Sequence, residues 1–106
     1  MSRDETVYIK HILDAISRIE RYMAGISYEQ FNDDTLIQDG VIRQLEIIGE
    51  ASKGLSDVTK AHYEDIPWKD IAGMRDKLIH DYLGTDIKAV WDTAKDDLPN
   101  LKRKLM

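Results

Sequence analysis

The stretch TLIQDGVIRQLEIIGEASK, Thr35 to Lys53, decides the fold. Advancing by about 100° per residue from Leu36, the residues Asp39, Arg43, Glu46, Glu50 and Lys53 collect in a narrow polar arc. Leu36, Ile37, Val41, Leu45, Ile47, Ile48 and Ala51 spread over about half the circumference, with Ile42 further round. A surface helix needs an apolar stripe only somewhat wider than ~100°. The excess predicts packing on two sides, against the helix's own core and against a second copy of the chain. Gly40 lies inside the apolar arc, where it would admit another backbone.

The flanking segments read as helices too. SRDE offers Ser2 and Glu5 as a capping box, and Ile9, Ile12, Leu13, Ile16, Ile19 and Met23 follow at steps of three and four. Gly25 stops that helix. SYEQF predicts one short turn capped by Ser27 with Gln30 reaching back, and NDDT supplies the cap of the Thr35–Lys53 helix, which Gly54 ends. SDVTKAHYED reads as a short helix or an irregular link. IPWKD starts another helix, with Pro67 in the first turn, where its missing N–H costs nothing. This helix is expected to carry Ile71 and Met74 forward to a break at Gly84. Thr85 or Asp86 caps a last helix with the stripe Ile87, Val90, Trp91, Ala94, Leu98, Leu101 and Leu105; Pro99 inside it predicts a kink or a new segment. The expectation is all-α: an antiparallel bundle of about four long helices plus short ones, one domain over residues 1–106, forming a homodimer.

With 106 residues, there is room for one ordinary domain. Apolar content of 42% with 33% charged residues describes a soluble globular chain. The absence of cysteine excludes disulfides and zinc–thiolate sites and fits a reducing cytoplasm. MSRDETVYIK is too charged for a signal peptide, and no apolar run reaches membrane-spanning length. The net charge of −5 argues against broad affinity for nucleic acid, while leaving room for a local basic pocket.

Most site chemistries fail on spacing. Glu46 and Glu50 are a turn apart, but the E-x-x-H pattern of di-metal bundles is missing. His11 and His62 have no ligand partner at metal spacing. Phosphate-cradling glycine loops and the G-x-S-x-G elbow are absent. No metal and no cofactor is expected.

What remains is MRDKLIHDYLG, Met74 to Gly84, where Arg75, His80 and Tyr82 interrupt an apolar pattern. Each alone reads as an ordinary residue: a solvated arginine, a histidine suited to a helix C-terminus, a half-buried tyrosine. On one straight helix Arg75 and Tyr82 share a face, whereas His80 lies about 140° from Arg75. The three converge only if the helix ends before His80 or if a second copy supplies complementary groups. An imidazole and a guanidinium suit attack of a ribose 2′-hydroxyl on its own phosphate, one taking the proton and the other binding the phosphate oxygens. Lys69 and Lys77 add positive charge. Asp76, one turn before His80, either orients its ring or is a surface acid.

At these residues the chain resembles the HepT family of HEPN-domain toxins, all-α proteins encoded beside an MNT-type nucleotidyltransferase antitoxin. RDKLIHDY matches the family's R-x-x-x-x-H-x-Y motif. IRQLEIIGEASKGL, IPWKDIAGMRDKLIHDYLG and VWDTAKDDLPNLK extend the likeness from about Val41 to Lys102. Met1 to Asn32 matches only in helical pattern. The resemblance implies a HEPN-like fold and a metal-independent endoribonuclease, dimeric, with Arg75 and His80 of both copies in one cleft. It implies that Tyr82 accepts AMP from the partner nucleotidyltransferase, placing an anionic nucleotide two residues from His80. A competing expectation is a nucleotide- or substrate-binding subunit of a two-component nucleotidyltransferase, with Arg75 gripping a triphosphate. A third is a purely structural helical dimer.

Overall fold

Two long helices lie antiparallel and carry the core between them. The computed structural model describes residues 3–73 and 86–106, with side chains from Glu5 onward. Helix α1 (Arg3–Tyr22) buries Ile9, Ile12, Ile16, Ile19 and the following Met23, while Leu13 packs partly buried beside them. Full burial of such a side chain is worth about 1.5–3 kcal/mol, so this stripe holds α1 in place. The Met23 N–H still reaches the Ile19 carbonyl, 3.0 Å, and Gly25 then takes φ +73°, a conformation that favours glycine. Ser2, half of the expected capping box, lies outside the described residues. Glu5 accepts a hydrogen bond from the Ser56 N–H across the bundle.

Ser27 caps α2 (Tyr28–Asp33) as its sequence predicts. Its hydroxyl accepts from the Gln30 N–H at 3.2 Å, and its own N–H donates to Gln30 Oε1 at 2.8 Å. Asp34 then caps α3 (Thr35–Lys53), accepting from the Ile37 N–H at 3.1 Å. Two glycines mark where α1 and α3 meet. A Cβ on Gly40 would lie 3.4 Å from the Tyr22 ring, and one on Gly54 would lie 2.7 Å from the Tyr8 ring. These opposite pairings fix the antiparallel direction, and Gly54 is required because Tyr8 occupies the space a side chain would need.

The breadth of the α3 apolar face has a different cause from the one expected. Val41, Ile42, Leu45, Ile48 and Ala51 are all buried within one chain, because α1, α2 and two later helices, Trp68–Ala72 and Ile87–Asp92, pack around α3. The side chain of Tyr22, rather than a second backbone, approaches Gly40. Leu36 alone of that arc is widely exposed, at 81%. Most of this face is therefore packed inside the monomer, with Ile37 and Ile47 partly buried and Leu36 exposed.

Ser56 caps α4 (Asp57–His62), accepting from the Thr59 N–H at 3.3 Å. α5 (Trp68–Ala72) follows with Pro67 as its N-cap, one position ahead of the expected place. This helix is shorter than the sequence suggests, closing at Gly73 before Met74 is reached. After residues 74–85 come α6 (Ile87–Asp92), a π-turn (Thr93–Asp97) and α7 (Leu98–Leu105). The break follows from Pro99, which has no N–H to donate and would clash with the carbonyl four residues back. The Leu98 N–H reaches Thr93, five residues back, and Pro99 falls in the first turn of α7. Two long unbroken helices and this segmented run thus form the described bundle; the fourth long helix expected through Met74–Gly84 falls outside the described residues. Among the described residues no helix is long and apolar enough to cross a membrane.

Candidate functional site

Arg75, Asp76, Lys77, His80 and Tyr82 all lie in residues 74–85, outside the described part of the chain. The described residues on either side of this segment belong to helices packed into the core. At its start, the Trp68 indole N–H donates to the Lys60 and Tyr63 carbonyls, 3.3 and 3.2 Å, tying α5 to the end of α4. Ile66, Trp68 and Ile71 are buried, and α5 packs on α3. At its end, Asp86 caps α6, accepting from the Ala89 N–H at 3.1 Å, and Val90 is fully buried. α6 also packs on α3. The helices on either side of the motif segment therefore pack on the same central helix.

A groove of about 680 Å³ runs between α5 and α7 beside Gly73, the last described residue before the motif. Ile66, Ile71, Leu98 and Leu101 line it with apolar surface, and Thr93 and Asn100 add polar groups. Lys69, expected as local positive charge, lines this groove with Lys104, but Asp70 and Asp97 line it as well. Lys104 is already committed, donating to the Asp65 carbonyl at 2.9 Å. Lys102 pairs with Glu20 at 2.9 Å, so the basic tail LKRKL staples α7 to its neighbours. His11 and His62 are exposed, with His62 set edge-on against the Tyr63 ring at 5.2 Å. Among the described residues no three His, Asp or Glu side chains gather where they could hold a metal ion.

A cluster the sequence reading passed over lies where α2 meets α6. Trp91, expected in the core stripe, is only half-buried. Its ring lies 5.3 Å from the buried Phe31 ring and 5.6 Å from Tyr28, the latter edge-on. Lys88 Nζ sits over Tyr28 at 5.3 Å and Lys95 Nζ over Trp91 at 4.9 Å. Asp92 bonds Lys88 at 2.7 Å and holds its ammonium above the usual lysine value. The available signal was spacing: Lys88 and Lys95 stand three before and four after Trp91, helical neighbours on its face.

Residues 12–106 match the family described as ribonuclease HepT-like. The chain belongs to the HepT-like ribonuclease family. As a member it is an RNA-cleaving enzyme, and the match begins well before the blocks that carried the resemblance. The chain is 46% identical over 104 residues to the "Probable ribonuclease HepT" of Thermococcus cleftensis, covering 98% of this chain and 94% of that one. It is 40% identical over 98 residues to a "Putative RNase" of Caldanaerobacter subterraneus subsp. tengcongensis, covering 92% and 88%. A Methanocaldococcus jannaschii protein named "Gamma-glutamylcyclotransferase and putative RNase" is 42% identical over 106 residues; the match covers all of this chain and 48% of that protein. No solved structure matches.

Proposed function

We propose that this HepT-like ribonuclease is the toxin of a toxin–antitoxin pair, a single HEPN-like domain that cuts RNA in a cleft shared by two copies of the chain. Support comes from the spacing of Arg75, His80 and Tyr82 within a chain of a ribonuclease family. His80 takes the proton of a ribose 2′-hydroxyl as its oxygen attacks the adjacent phosphorus. Arg75 binds the phosphate oxygens with two parallel hydrogen bonds and stabilises the charge that builds there. The 5′-oxygen leaves with a proton from the second copy's imidazole, so the product is a 2′,3′-cyclic phosphate. Asp76 orients the His80 ring, and Lys77 contributes local positive charge. No metal or other cofactor takes part in these steps.

The same reading assigns regulation to Tyr82. An MNT-type nucleotidyltransferase partner transfers AMP to its hydroxyl, and the added anionic group repels the RNA backbone beside His80. The protein acts in the cytoplasm, where this partner and its RNA substrate meet. The test is incubation of purified protein with RNA in the presence of EDTA. Cleavage is expected to persist, to leave 2′,3′-cyclic phosphate ends, and to fall by roughly 10²–10⁴ with His80→Ala. Intact RNA together with saturable nucleotide binding lost in Arg75→Ala would replace the nuclease with a nucleotide-binding subunit.

A further inference from the structure

We propose that Tyr28, Lys88, Trp91 and Lys95 form a platform for single-stranded RNA outside the cleavage site, which stacks a base on Trp91 and seats a phosphate on Lys95. The proposal rests on the ribonuclease reading for its ligand and extends that reading beyond the motif. Trp91 is half-buried, with the fully buried Phe31 ring 5.3 Å away and the exposed Lys95 ammonium over its ring, so a base that displaces the ammonium meets the indole. Among the described residues Lys95 has no carboxylate partner, and the indole is its recorded contact. Lys88 over Tyr28 repeats the arrangement, though Asp92 partly satisfies its charge.

A nucleotide can replace both contacts at once. Its base takes the ring face, since bases stack on aromatic side chains irrespective of sequence, and its phosphate takes the displaced ammonium. The groove between α5 and α7 lacks this chemistry among the described residues: no aromatic side chain lines it, and its two lysines are matched by two aspartates. Chain length ties the platform to the motif. Lys88 follows Tyr82 by six residues, so their Cα atoms stand no more than about 22 Å apart. A short single strand spans that distance, which makes the platform an outlying subsite for the strand being cut.

Full-length protein carrying His80→Ala is titrated with an oligouridylate of about ten nucleotides, within the span of single-strand sites, while tryptophan fluorescence is followed. Trp91 should be quenched, since the other tryptophan, Trp68, is 7% exposed and hydrogen-bonded inside the fold. Lys95→Glu should weaken binding about tenfold and reduce the slope of log K against log salt by roughly 0.7 or more. Trp91→Leu keeps apolar bulk and should also weaken binding. Lys10→Glu, an equal charge change at an exposed position of α1, should move neither quantity more than about twofold. In protein retaining His80, Lys95→Glu should lower kcat/KM on the same oligonucleotide by a larger factor than on a dinucleotide. Lys95→Glu behaving like Lys10→Glu, or binding without quenching, would overturn the platform. Failure of the His80 protein to cut either RNA would overturn the nuclease mechanism instead, with the binding titration still deciding the platform.

Discussion

Gln38, near the start of α3, shows what one buried amide does for this fold. Its Nε2 donates to the Phe31 and Asn32 carbonyls, 2.9 Å each, closing the end of α2 where helix carbonyls lack partners. The Phe31 carbonyl also receives the Asp34 N–H, but Asn32 depends on Gln38 for its recorded bond. Gln38→Ala should therefore cost about 0.5–1.5 kcal/mol, the net worth of an ordinary hydrogen bond. Urea denaturation measures it, and an unchanged midpoint would deny Gln38 this role. Nothing in the sequence singles out Gln38, because its partners are backbone atoms whose position depends on how α2 and α3 fold back on each other. Ser27, Asp34 and Asp86 were legible because a cap and its helix are local. Trp91 was half legible: its spacing gave the right helix face, but its exposure depends on where α2 packs.

The C-terminal run is the element whose sequence and structure constrain each other most closely. Its buried residues Val90, Ala94 and Leu98 are separated by two successive steps of four, which drift around a regular α-helix of 3.6 residues per turn. The wider turn over Thr93–Asp97 absorbs that drift, so Leu98, Leu101 and Leu105 stay on the core side. Deleting Asp96, which is exposed, would restore helical spacing but leave Pro99 inside an unbroken helix, at a cost of about 3 kcal/mol. Combining the deletion with Pro99→Ala should recover most of the loss. Thermal unfolding of the two variants checks this, and equal stability for both would show that the proline does not maintain the π-turn. The sequence anticipated a break at Pro99, but it did not give its form, because a kink, a new helix and a π-turn all relieve the same clash. α5 was overestimated for a related reason: periodicity through Ile71 and Met74 continued past Gly73, which closes the helix.

At the scale of the whole molecule, the proposed nuclease requires Arg75 and His80 to act on one phosphate. α5 and α6, on either side of the motif in sequence, both pack on α3. Most of the broad face of α3 is packed within its own chain, so its breadth alone does not establish a second copy. The all-α bundle was legible from hydrophobic periodicity, but which chain covers a face is not written in periodicity. A shared cleft now rests on the motif itself, whose arginine and histidine lie about 140° apart on a regular helix. If two copies complete each cleft, an Arg75→Ala chain and a His80→Ala chain can complement each other. Each variant alone should be nearly inactive, losing roughly 10²–10⁴ in rate where proton transfer is removed. Mixing them under conditions that let subunits exchange should restore part of the cleavage, because a mixed dimer retains one arginine and one histidine at the same phosphate and lacks only the second imidazole and guanidinium. Restored activity should rise with protein concentration and fall on dilution, as subunit association requires. A site contained in a single chain gives neither result: the mixture would stay as inactive as its parts, and the wild-type rate per chain would not depend on concentration.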